Sequence, residues 1–99
     1  MIKIDVDEDR IDWDRINRVR EYLHLDGKVW TQKTPHGWHV LTNDEIPDPK
    51  DLIIVQLLMG SDWGREMFNF RRVERGVSVW NILHDKGNGW VLVHDGRTT

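Results

Sequence analysis

Cysteine is absent from the 99 residues. That excludes a disulfide framework and every zinc site built on thiolates, and leaves histidines and carboxylates as the metal donors. A long hydrophobic run is missing as well. The most apolar stretch, from Leu52 to Met59, is interrupted by Gln56 and falls far short of the about 20 residues that cross a bilayer. The opening Met-Ile-Lys-Ile-Asp has no basic segment followed by an apolar one, so neither a secretory signal nor a membrane partner is expected, and the expected location is cytoplasmic. Nor is there an excess of positive charge. The net charge is -3, and the acidity is local: Asp5, Asp7, Glu8, Asp9, Asp12 and Asp14 stand against only Lys3 and Arg10 in the first 14 residues. Tight, non-specific binding of duplex nucleic acid needs clustered Lys and Arg against many phosphates, and is disfavoured.

What is present is the composition of a folded domain, 38% hydrophobic and 31% charged, unlike the weakly hydrophobic, highly charged mixture of a disordered chain. The length allows one domain, 1–99, with a core of modest size. Ile2, Ile4 and Val6 alternate with Lys3, Asp5 and Asp7, the period of a half-buried strand. That strand is expected inside a mostly antiparallel sheet, with its three aliphatic residues toward the helices. Asp12 caps a helix expected to run to about Leu25, with Ile16, Val19 and Leu23 on one stripe and Gly27 as its stop. Two strands over 28–34 and 37–42 follow, joined at Thr34-Pro35-His36-Gly37. Asp48 and Pro49 open a second helix whose buried stripe is Leu52, Val55, Leu58 and Met59. Gly60 ends it, and Ser61 caps a third helix over 62–75 that turns Met67, Phe70 and Val73 inward before Gly76. Strands over 78–84 and 89–94, with a glycine-containing loop at 85–89, complete the chain.

The order β-α-β-β-α-α-β-β is that of an α+β, ferredoxin-like or RRM-like sandwich, with helices on one face of the sheet and chemistry expected on the other. Asp5 and Asp7 would project about 7 Å apart on one side of the first strand. Two such acids suit a divalent ion, Mg or Mn, in phosphoryl transfer, and equally suit solvated charges on a wet sheet face. No cofactor is required by the pattern. Lys33 and His39 flank the hairpin and could grip a nucleotide, although His36 and His39 lack the third ligand of a zinc site. Of six tryptophans, Trp30 and Trp38 fall in sheet strands, where open-face rings stack on unpaired bases. On the third helix Arg71 and Arg72 are the least paired of the arginines, and form a candidate phosphate contact. Two enzyme classes are excluded. No Gly-x-Ser-x-Gly elbow exists for a serine hydrolase. The only tyrosine, Tyr22, precedes the histidines, the wrong order for a rolling-circle replication nuclease.

Asp5-x-Asp7 near the start, then a helix, then a hairpin ending in Thr34-x-x-Gly37-x-His39, resembles the catalytic palm of the archaeo-eukaryotic primase and primase-polymerase superfamily over about the first 42 residues. The resemblance implies that Asp5 and Asp7 bind catalytic metal, that His39 contacts the incoming nucleotide, and that Lys33 reaches phosphate. Residues 57–65 also look like a segment of small archaeal and viral proteins. The family's third acid, within a later strand, has no counterpart, since Asp85 and Asp95 only follow strands; its zinc-binding insertion is absent. The expected function is therefore a binding or accessory domain for single-stranded nucleic acid or nucleotides, a reduced and catalytically silent relative of such palms. A minimal metal-dependent nucleotidyltransferase or nuclease is the alternative, and a module with a protein partner is a third.

Overall fold

The computed structural model describes residues 1–83 and 89–96. Its elements are β1 (Ile2–Val6), α1 (Trp13–Tyr22), β2 (Val29–Thr34), β3 (Gly37–Thr42), α2 (Pro49–Leu58), α3 (Trp63–Glu74) and β4 (Val91–His94). The four strands form one antiparallel sheet in the order β1-β3-β2-β4. A radius of gyration of 13.0 Å is about that of a compact domain of this length.

The alternation in β1 sets its faces as expected. Ile2, Ile4 and Val6 are buried with Val29 and Val40 of the sheet, Ile16 of α1, and Leu52, Val55 and Met59 of α2. Local chemistry draws the helix boundaries. The Asp12 carboxylate accepts from Arg15 N, and Asp48 accepts from Lys50 N and Asp51 N ahead of Pro49, each offsetting the unpaired donors of a helix start. Gly60, at φ +102°, ends α2 by letting Gly60 N and Ser61 N turn back to Leu57 O and Gln56 O. Arg15 also donates to the Leu57 and Leu58 carbonyls, which joins the first turn of α1 to the last turn of α2 and places a cation at that helix's negative end.

The structure corrects several expectations. α1 stops at Tyr22 because His24 takes the left-handed conformation, φ 55°, with His24 N and Leu25 N returned to Glu21 O and Arg20 O. Gly27 instead donates its N–H to Asp44, whose carboxylate also pairs with buried Arg20 at 2.7 Å. β1 is an edge strand and not an interior one. The partners a further strand would supply come from the helical layer: Lys3 N donates to Gln56 Oε1 and Asp5 N to Ser61 Oγ, while Lys3 O and Asp5 O accept from Arg65 and Asp62 N. An edge so covered offers no template for pairing. Ser61 is thereby taken from its expected capping role, which Asp62 fills by accepting from Arg65 N.

Because α3 meets a polar strand edge, its buried residues are Glu66 and Asn69; Met67 and Phe68 are exposed, and Phe70 and Val73 are only half-buried. Leu58 of α2 is likewise exposed, and Gln56 is buried in the stripe expected to be apolar. No strand forms over 78–83, so the expected order loses one strand among the described residues. Asn81 sits there at φ 58°, its N–H donating to Asn69 Oδ1 and its own Oδ1 accepting from Gln56 and Arg65. A left-handed residue fixed by side chains interrupts an extended run. The loop expected at 85–89 lies outside the described residues except for Gly89. Among the described residues no helix is long and apolar enough to cross a membrane.

Candidate functional site

Pairing puts Asp5 opposite His39 across β1 and β3, and Gln32 opposite His39 across β2 and β3. All three side chains therefore share the sheet face turned away from the aliphatic core. His39 is almost wholly buried among them. Its Nδ1 lies 2.9 Å from Gln32 Oε1, and its Nε2 is 3.6 Å from Asp5 Oδ1. With the Gln32 oxygen as acceptor, Nδ1 is the donor, and a protonated ring sets its charge against the Asp5 carboxylate. Trp90 stacks over the imidazole, with ring centroids 6.3 Å apart and 28° between planes.

This dyad forms the floor of a cleft of about 510 Å³. One wall is the end of the β2–β3 hairpin, Thr34 to His36; the other is a stripe of α3 carrying Asp62, Arg65, Asn69 and Arg72. Positions three and four apart on a helix face the same way, which is why that stripe is continuous. The Arg65 guanidinium is consumed within the fold, donating to Lys3 O, Glu66, Asn81 and Ile82 O. Arg72 forms no ion pair among the described residues and stands exposed at the rim with His36. Burial pushes the Asp5 carboxyl above its ordinary value of 3.8, against the pull of His39 and Arg65, and the negative charges of Asp62 and Asp7 add to the rise.

The residues singled out in the sequence divide. Asp5, Asp7, His39 and Arg72 meet at the cleft. Arg71 is on α3 but outside it. Trp30 shares the His39 face, opposite Leu41 and Leu92. Lys33 and Trp38 do not: they pair with each other on the core face, where the Lys33 ammonium sits over the Trp38 ring and donates to Thr34 O and Gly37 O. Trp38 Nε1 donates to Asp9 O, so this indole pins the loop after β1. The stacking pair expected from Trp30 and Trp38 is thus split between faces, because one lies at an even and the other at an odd step from Val40 through the hairpin.

Three contributors were not singled out beforehand. Gln32 was within reach of the sequence, since a two-residue turn at Pro35-His36 places it opposite His39. Arg65 lies on the third helix among several arginines, with nothing in its sequence neighbourhood to set it apart from Arg71 and Arg72. Trp90 carried no signal, because its approach to His39 comes from the return of β4 to β2.

Asp5 and Asp7 gather no third histidine or carboxylate among the described residues into a group able to hold a metal ion. Hard cations take six or more oxygens, several from protein carboxylates or substrate phosphates. Among the described residues, then, Asp5 and Asp7 alone supply carboxylate oxygens at this face, fewer than a resident hard cation takes. Comparison of the chain with protein families, with curated proteins and with solved structures finds no match.

Proposed function

We propose that the chain is a small nucleic-acid-associated domain that takes a nucleotide, free or within a single strand, into the cleft between the sheet and α3. The observation that carries this reading is His39, held by Gln32 and Asp5 on the floor of an open cleft, with the exposed Trp90 ring stacked on its imidazole beside the cleft lining. A base edge finds acceptors at the Asp5 and Asp7 carboxylates that line the cleft beside His39. An unpaired base stacks on the exposed indole, a contact worth about 1–3 kcal/mol. Arg72 and His36 at the rim suit one phosphate, and the balanced charge elsewhere suits a short ligand better than a long duplex.

In fold, the β1-α1-β2-β3 part reads as the first half of a ferredoxin-like sandwich, with the last strand carried to the β2 edge. The kinship proposed with primase palms rests on Asp5 and His39 being neighbours on adjacent strands. The kinship proposed is a reduced, catalytically silent one, in keeping with acids that gather no third partner among the described residues. A cytoplasmic place for the chain belongs to the same proposal.

The test is tryptophan fluorescence titrated with short single strands and with duplex, at low and high salt. Single strands should quench, more tightly than duplex. His39→Ala should weaken binding about tenfold or more, and Arg72→Ala should weaken it with a salt slope smaller by about one phosphate. A folded protein that shows no quenching at low salt removes the proposal in favour of a protein-interaction role. Primer extension or nuclease turnover with Mg or Mn, lost in Asp5→Asn and Asp7→Asn, would establish the metal-dependent enzyme instead.

A further inference from the structure

The helical layer carries a second concavity, remote from the His39 cleft. It is a groove of about 580 Å³ between α1 and α2, lined by Arg18, Tyr22 and Leu23 on one side and by Asp51, Ile54 and Leu58 on the other. Its lining is almost entirely apolar, although the groove is open to solvent. Tyr22 is 85% exposed, Ile54 54% and Leu58 51%. In a domain this small, contiguous exposure of large apolar side chains marks an interaction surface.

The charges at its margin say what covers it. Arg18 stands on the α1 wall and Asp51 on the α2 wall, and neither forms an ion pair among the described residues. A groove with one unpaired cation on one wall and one unpaired anion on the other is complementary in charge to a second copy of itself related by a twofold rotation. Two copies placed face to face set Arg18 of each against Asp51 of the other, while Tyr22, Ile54 and Leu58 meet across the axis. Two-fold contacts of this kind use the same patch on both subunits. A partner carrying a single sign of charge would satisfy only one of the two margins.

We infer that the chain forms a symmetric dimer through the α1–α2 groove, with reciprocal Arg18–Asp51 ion pairs around an apolar centre of Tyr22, Ile54 and Leu58. The His39 cleft lies outside the groove lining, so the dimer presents two such clefts, and dimerisation stands or falls separately from nucleotide binding.

Sedimentation equilibrium across a concentration series reads the dimer directly. The wild type should shift from monomer to dimer as concentration rises through the series. Ile54→Asp, and Tyr22→Glu as a second variant at a more exposed position, should yield folded monomers. Arg18→Asp and Asp51→Arg should each raise the dissociation constant about tenfold, and the double reversal should return it to within about threefold of wild type, as reciprocal pairing requires. Far-ultraviolet circular dichroism establishes folding in each variant. A wild type that stays monomeric at high concentration overturns the inference, as does a dimer indifferent to both Ile54→Asp and Tyr22→Glu. Single charge reversals that weaken the dimer without recovery in the double variant also overturn it. A monomer that binds an apolar dye in the groove, with binding lost in Ile54→Asp, assigns the face to another partner.

Discussion

Glu66 is fully buried, and its carboxylate accepts four hydrogen bonds: Gln56 Nε2 at 2.8 Å and Asn69 Nδ2 at 3.0 Å on one oxygen, Ser61 Oγ at 2.7 Å and Arg65 on the other. The same donors hold β1's edge and Asn81, so the carboxylate ties α2, α3, β1 and the 77–83 segment together. Glu66→Ala leaves those donors in a dry site. Removing one member of a buried ion pair costs about 3–5 kcal/mol. Arg65 keeps its bonds to Lys3 O and Asn81 and retains some solvent contact, which holds the expected loss to about 3 kcal/mol, the low end of that range. A domain of this size has about 5–15 kcal/mol in total, so the variant should fold but melt roughly 12–24 °C lower. Glu66→Gln keeps one acceptor oxygen and turns an amide against Ser61 and Arg65, and should lose about 2 kcal/mol. Urea unfolding followed by tryptophan fluorescence gives both values. Under the proposed function, oligonucleotide affinity should fall in the same order, since α3 is also the cleft wall. A Glu66→Ala loss below about 1 kcal/mol would refute the view that this carboxylate organises the polar edge.

Gly37→Ala should destabilise by about 1–3 kcal/mol in urea unfolding, because a Cβ there would lie 1.9 Å from Val6 O and 2.9 Å from Glu8 N, both backbone; an unchanged midpoint would mean that β1 and β3 yield at this crossing. Asp5 gives a pH-dependent outcome. Its pKa is raised above 3.8, mainly by burial, so between the unfolded and folded values the native chain holds a proton that the unfolded chain has lost. Stability present at low pH is lost as pH rises through that window. Asp5→Asn should therefore raise the melting temperature at about pH 7 and match the wild type near pH 3, where both carboxyls are neutral; a variant less stable at neutral pH would show that the pairing with His39 outweighs burial.

The sequence by itself determined whatever depends on neighbours along the chain. The face of β1 follows from a period of two. The caps at Asp12 and Asp48 follow from short oxygens placed before helical runs, and the helix stops at Gly60 and Gly76 from residues that tolerate positive φ. Asp5 and His39 were legible as candidates because their strands and the hairpin turn were.

Tertiary structure decided which edge of the sheet stays unpaired and what meets it. Gln56, Ser61, Asn69 and Glu66 read locally as helix or cap residues, yet β1's outward N–H and C=O groups demand polar partners once no strand among the described residues lies beside them. That demand turns the polar stripe of α3 inward and its Met67 and Phe68 outward. It also fixes Asn81 where a strand was expected, since a side-chain network with several buried acceptors outweighs the weak extended preference of a short segment. The site followed the same division: hairpin register set Gln32 against His39, whereas Trp90 and the α3 wall arrived through contacts more than twenty residues away along the chain, which local periodicity does not encode.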